Sequence, residues 1–263
     1  MRRILNAAAL VLAMLVPSHA LAANTWGTDF SDLWWNPNES GWGANVAHQG
    51  EIIFMTVFVY GADNRVRWYV APAMASQGGV NSSTFVGTLH ETAGPYLGDA
   101  TFNPQAVGIR TVGNATLQFG AVEAGVLSYS VDGAQVNKAI ERQTFRANDL
   151  SGTYFGAEVG TVAGCGTGSA GFENKTELSV SQNGNAISIL TTLSPTLSCT
   201  YTGTYAQSGR MGQIQGSMNC TNGSQGAFAA AEVEAGHLGF LARYTVNYGS
   251  GCIETGRMGG MRR

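Results

Sequence analysis

Charge is scarce in this 263-residue chain, where Asp, Glu, Lys and Arg together make up 12% of positions, about half the ~25% of an ordinary globular protein. Lysine is almost absent, with only Lys138 and Lys175. The net charge is −3, and a leader holding Arg2 and Arg3, once removed, leaves 12 basic residues against 17 acidic ones. That inventory cannot build a concentrated basic face, so no nucleic-acid partner is expected. Helical periodicity is missing beyond the leader, and no later apolar run approaches the ~20 residues of a membrane-spanning helix. No cysteine occurs before Cys165 and none falls in a Cys-x-x-Cys pair, which removes the zinc knuckle and the dithiol redox motif. Sets of three or four ligands at metal-binding spacing are also missing, so neither a metal nor a cofactor is expected. Neither Glu39-Ser40-Gly41 nor Gly168-Ser169-Ala170 supplies the Gly-x-Ser-x-Gly turn of a serine hydrolase. No catalytic residue is assigned.

What is present begins with residues 1–22. Arg2 and Arg3 precede an apolar run from Ile4 to Val16, and Ala20-Leu21-Ala22 offers small residues at a cleavage site. This order of features predicts a signal peptide cut after Ala22. The product is then exported to the periplasm, the cell surface or the medium, with no integral membrane segment.

Glycine is abundant, at 36 residues, about twice the usual ~7% share. Between the glycines the pattern is that of strands. Ile52 to Tyr60 is a continuous apolar and β-branched run, Ala115-Leu117-Phe119 and Leu127-Tyr129-Val131 alternate with polar residues, and Asp132-Gly133 supplies a two-residue turn opposing Tyr129 to Val136. Asn183-Gly184 reads as a second such turn, opposing Val180 to Ile187 and Leu178 to Ile189. Each half holds seven or eight short strands, and the expected architecture is all-β, with two tandem small antiparallel up-and-down barrels, β-sandwiches being the alternative. Tryptophan and cysteine divide the chain. Trp34, Trp35, Trp42 and Trp68 fall in a first domain at residues 23–147, and all four cysteines fall in a second at 148–263.

Four cysteines in an exported chain read as two disulfides. A hairpin about Gly209-Arg210 sets Tyr205 opposite Ile214, Tyr201 opposite Met218 and Cys199 opposite Cys220, leaving Cys165 to Cys252, each beside glycine.

The densest segment runs from Asp32 to Gly43, with three tryptophans among amides and carboxylates. Trp34, Trp35, Trp42 and Trp68 are candidate rings for stacking on sugar faces or apolar ligands, and Asn36, Asn38 and Glu39 are candidate partners for hydroxyls. The competing reading makes the same rings core. Adjacent strand residues point to opposite faces, so Trp34 and Trp35 are expected to split, one ring inward and one outward. Glu39 with Asp32 or Glu51 is the only carboxylate pairing that suggests a glycosidase.

Trp35-Asn36-Pro37, Glu39-Ser40-Gly41-Trp42-Gly43, Ala47-His48-Gln49-Gly50, Phe58-Val59-Tyr60 and Arg67-Trp68-Tyr69 resemble a recurrent module of uncharacterised secreted bacterial proteins. Gly94-Pro95, Val112-Gly113, Tyr129 and Val131-Asp132-Gly133 extend the resemblance over about residues 30–146. It implies export and no particular activity. Ser151-Gly152-Thr153-Tyr154 is loosely similar to the opening strand of lipocalin or avidin-like barrels, which favour tryptophan where Tyr154 stands. The resulting expectation is a non-enzymatic exported protein that holds a small molecule or glycan on its first domain. An extracytoplasmic structural or protein-binding subunit is the second reading, and a secreted hydrolase the third.

Overall fold

A computed structural model describes residues 27–98, 100–166 and 168–263. The expected leader and Trp26 lie outside the described residues. The described chain is all-β, with no α-helix and two 3₁₀ turns, Gly79–Asn81 and Pro104–Ala106. The first eight strands are β1 (Asp32–Trp35), β2 (Gly43–Gln49), β3 (Ile52–Tyr60), β4 (Val66–Ser76), β5 (Thr84–Ala93), β6 (Gly108–Phe119), β7 (Ala124–Val131) and β8 (Ala134–Arg142). The second eight are β9 (Gly152–Ala163), β10 (Ala170–Asn183), β11 (Ala186–Ser194), β12 (Leu197–Ser208), β13 (Met211–Cys220), β14 (Gln225–Ala235), β15 (Gly239–Gly249) and β16 (Cys252–Arg262). Each set closes into an antiparallel barrel with strands in chain order, β1 pairing with β8 and β9 with β16. Closure removes every exposed strand edge, and eight strands leave an interior that side chains can fill. The barrel reading therefore holds over the sandwich. Residues 143–151 join the two barrels, with Leu150 already in the second core.

Local chemistry sets the registers. Asp132 and Gly133 both have positive φ, and Tyr129 faces Val136 as expected. The hairpin at Gly209-Arg210 brings Tyr205 to Ile214, Tyr201 to Met218 and Cys199 to Cys220, and the disulfides are Cys199–Cys220 and Cys165–Cys252. The other turn differs from expectation: Asn183 faces Ala186, so the turn residues are Gly184 and Asn185, and Val180 meets Ile189. Gly184 carries φ +59° while Asn183 and Asn185 are not in the left-handed region, which fits a turn needing glycine first and not one needing two positive φ values. The inward and outward sets of side chains are the same in both registers. Pro72 cannot donate to a ladder, and the β3–β4 pairing is interrupted beside it, between Ile53 and Met55. In the second barrel Gly156 faces Gly260 and Gly203 faces Gly216. A Cβ at Gly156 would collide with the Gly259 carbonyl and one at Gly216 with that of Thr202, so these glycines let the sheet fold sharply over itself.

One construction appears at the base of both barrels. In the first, Trp34 is 1% exposed, its Nε1 donates to the Phe30 carbonyl (3.0 Å), and the Arg142 guanidinium lies 4.8 Å from its ring centroid. In the second, Tyr154 is buried, its hydroxyl donates to the Leu150 carbonyl (2.6 Å), and Arg262 lies 5.1 Å from its ring. Arg142 donates to the Ser31 carbonyl and Arg262 to that of Ser151. The Asp29 and Asp149 carboxylates accept from the Ser31 and Ser151 amides, and those serine hydroxyls accept the backbone N–H of His48 and Gln182. Asp29/Asp149, Ser31/Ser151, Trp34/Tyr154 and Arg142/Arg262 each stand 120 positions apart. The chain thus contains the same closing latch twice, first strand to last.

The latches differ at Asp32, whose counterpart is Gly152. Asp32 Oδ2 accepts from Arg142 Nη1 (3.0 Å) and also from the Arg210 backbone N–H (3.0 Å) at the tip of the β12–β13 hairpin. Arg210 pairs further with Asp29 and Glu234, and Thr144 Oγ1 accepts from the Gly209 N–H. The second barrel is docked by this hairpin onto the base of the first.

Candidate functional site

Because strands alternate in direction, the loops at 36–42, 61–65, 94–107 and 132–133 gather at the end of the first barrel opposite this joint. Most of the tryptophan-rich segment is there. Asn36 to Trp42 form the β1–β2 connection, closed by Asn36 Oδ1 accepting the Asn38 N–H (2.9 Å) and the Asn36 carbonyl accepting that of Glu39 (3.0 Å). Trp42 folds back onto the core and its Nε1 donates to Glu39 Oε2 (3.1 Å). Lys138, from the inward row of β8, closes an ion pair on the same carboxylate (2.8 Å). The Lys138 hydrogen bond, with help from Trp42, holds the Glu39 carboxyl below its ordinary range against the opposing effect of burial. Glu39, Trp42 and Lys138 therefore form a fastened lip of the barrel mouth.

The four candidate tryptophans separate. Trp34 is core, and no face of its ring is left for a ligand, so its assignment to a binding site is withdrawn. Trp42 is half-buried and structural on one side. Trp35 and Trp68 point outward. Cross-strand register sets Trp34 opposite Ala44, which places Trp35 beside Gly43; Gly43 faces Phe58, and Phe58 faces Trp68. One outward row thus crosses β1 to β4 as Trp35, Gly43, Phe58, Trp68, about 14 Å long at the usual strand spacing. Phe58 is 52% exposed and Trp68 50%. Tyr60 and Val66, themselves a cross-strand pair, continue the apolar face toward the mouth. Gly43 contributes no side chain, leaving a step between Trp35 and Phe58. Trp35 is half-buried, and its Nε1 is covered and has no hydrogen-bond partner among the described residues, an arrangement that ordinarily costs about 1–3 kcal/mol.

Around the mouth, exposed ion pairs form a rim: Arg67 with Asp63 (2.8 Å), and Arg110 with both Glu91 (2.8 Å) and Asp132 (2.6 Å). Asp132 is held below its usual range by the Arg110 hydrogen bonds, and Arg110 is raised in turn by Asp132 and Glu91. Tyr69 and Tyr129 lie just inside the mouth, and burial pushes both phenols up. The 94–107 loop adds exposed Tyr96, Leu97 and Phe102. Asp32, Glu39 and Glu51 do not meet as a carboxylate pair: Asp32 belongs to the basal latch with Arg142, and Glu39 to the distal lip with Lys138. No group of three metal-ligating side chains occurs among the described residues.

Phe58, Tyr60 and Lys138 were not assigned to the site from the sequence. The signal for the first two was the nearly unbroken apolar run of β3, interrupted only by Thr56: a strand with one wet face should alternate, and this one is largely apolar on both sides. Lys138 had no local signal, since it meets Glu39 across 99 positions.

No family model matches the chain, and no curated protein or solved structure matches it.

Proposed function

We propose that this is an exported, non-catalytic binding protein whose first barrel holds a glycan on its outer aromatic row, and that residues 30–146 are a copy of the secreted module they resemble. The observation that carries the reading is the solvent-facing row Trp35–Gly43–Phe58–Trp68. Rings exposed on a rigid sheet present flat apolar faces, to which the C–H faces of sugar rings are complementary, at little cost in ordering because the sheet already fixes them. Polar neighbours on the same outward face, Asn45 and Thr56, which face each other across β2 and β3, can meet sugar hydroxyls.

Native gels cast with hydroxyethyl cellulose or soluble xylan test this on the full mature chain. Retardation of the wild type is expected, with its loss in Trp68→Ala and Phe58→Ala. Migration unaffected by either polymer, or retardation that survives both substitutions, overturns it.

A protein-binding role is the second reading. It is favoured by the apolar residues that surround the row without being aromatic stacking surfaces, namely Val66 and Leu97, which are 77% and 81% exposed.

A further inference from the structure

The interior of the second barrel contains a group that no binding role uses. Glu158 on β9 points inward and is 2% exposed. Glu254 on β16 points into the same space, and β9 and β16 are the two strands that close the barrel. Between the two carboxylates on this seam stands the facing pair Gly160 and Gly256, which contributes no side chain; a Cβ at Gly160 would meet the Phe172 ring (2.8 Å) and one at Gly256 the Tyr244 ring (3.1 Å). Tyr244 Oη donates to Glu254 Oε1 (2.7 Å), Tyr248 Oη to Glu254 Oε2 (2.5 Å), and Tyr201 Oη to Glu158 Oε1 (3.4 Å).

The groups facing Glu158 can be named strand by strand. β10 offers Asn174 and Thr176, β11 Thr191, β12 Tyr201, β14 Phe228, β15 Tyr244 and Tyr248, and β16 Glu254 and Met258. Lys175, Arg243 and Arg257 are exposed on the outer face. The one basic residue in the inward row, Arg262, sits at the opposite end over Tyr154. No cation among the described residues therefore faces the two carboxylates, and ionising both places like charges across the seam in a buried interior. Just beyond Glu254, Cys252 at the start of β16 is bonded to Cys165, two residues past the end of β9, and staples the seam there.

We propose that the β9–β16 seam is a proton-controlled closure: a proton on Glu158 keeps the distal half of the second barrel packed, and its loss loosens the seam within the limit set by the Cys165–Cys252 staple. Burial, and then the charge of Glu254, push the Glu158 carboxyl up to about 7. The sign follows from linkage. A carboxyl raised on folding contributes stability that is complete below its ordinary range, near 4.5, and lost as pH climbs through about 7. The seam is closed in acid and loosened in mild alkali.

Hydrogen exchange resolved by peptide, expressed as protection factors so that the chemical exchange rate is removed, tests the proposal on the mature oxidised protein. Between about pH 5 and about pH 8.5, on either side of the Glu158 transition, peptides of β9 and β16 should lose at least tenfold protection while those of the first barrel keep theirs. Glu158→Gln, which keeps the shape without the proton, should abolish the difference. Glu254→Gln removes the facing charge and should move the transition to lower pH. The infrared carbonyl band of a buried protonated carboxyl should be present in acid, vanish with a midpoint near 7 in the wild type, and be missing from Glu158→Gln. An unchanged pH response in Glu158→Gln, a loss of protection shared equally by both barrels, or a carboxyl band lost near 4.5 overturns the proposal.

Discussion

Two barrels with the same strand order and the same basal latch are filled in opposite ways. The first has an interior that is apolar apart from Arg142 in its latch, and in it Phe30 stacks on Phe119 at 3.9 Å between centroids, with Phe85 and Trp34 packed around them. It contains no cysteine, and its surplus aromatics face outward. The second buries Glu158, Thr176 and Thr191 among its tyrosines, folds over facing glycines, and carries both disulfides at its distal end. A polar interior gains less from burial than an apolar one, and covalent cross-links restrain the unfolded chain of the barrel that needs it more. The latch shows what eight-stranded closure requires, and the contents show what each copy is free to vary.

The largest effects should come from breaking the latches in parallel. The Arg142 side chain is fully buried, and it donates to the Val122, Ser31 and Asp29 carbonyls as well as to Asp32. Burial lowers its pKa, and Asp32 opposes that shift. Removing it takes a donor from three carbonyls and breaks the ion pair with the Asp32 carboxylate, so Arg142→Ala should cost about 3–5 kcal/mol. Arg262 is exposed apart from its bonds to Ser151 and Tyr154, and Arg262→Ala should cost only about 1–2 kcal/mol. Denaturant melts followed by tryptophan fluorescence for the first barrel and by peptide-resolved hydrogen exchange for the second separate the two. Equal costs would mean that Asp32 and the docked hairpin add nothing to the first latch.

Cross-links give the next effect. Cys199 and Cys220 are 21 positions apart, and a closed loop of that size is worth about 3 kcal/mol in the unfolded chain. Cys199→Ala with Cys220→Ala should lower the transition of the second barrel by that amount and leave the tryptophan-reported one in place. A matched fall in both would show that the barrels unfold as one unit through the Arg210 contacts.

Strand order, the Asp-Gly turn, the cysteine pairing and the barrel class were legible because they rest on local rules: alternation, turn chemistry and a register counted from one hairpin. The Asn183-Gly184 turn slipped because glycine there takes the first turn position. Alternation also foretold that Trp34 and Trp35 would part, without saying which would go in. That choice is made by Arg142, 108 positions away, whose guanidinium needs the ring on the inner face. Glu158 carried no signal in the sequence, since a carboxylate in a Gly-Ala-Glu-Val-Gly stretch reads as a wet outer position and is inward only because Tyr154 fixes the parity of β9. Contacts between distant strands are invisible to any window shorter than the barrel.

The smallest stability effect belongs to the outer row, and it sharpens the contrast between core and surface tryptophan within one barrel. Trp34→Ala removes a ring that is 1% exposed together with its hydrogen bond to Phe30 and its contact with Arg142, and should cost about 3–5 kcal/mol. Trp35→Ala should cost less, because its ring is only half-buried and its unpartnered Nε1 is relieved by the truncation. Trp68→Ala, at 50% exposure on the far end of the row, should move stability by no more than ~0.5 kcal/mol. Thermal melts of the three variants side by side give the order. If Trp68→Ala destabilised the barrel as much as Trp34→Ala, the outer row would be holding the sheet together and could not be a face reserved for a ligand. A flat melt for Trp68→Ala combined with lost retardation in polysaccharide gels would instead place the ring's purpose outside the fold, since a large aromatic that contributes nothing to stability has no structural reason to stand in solvent.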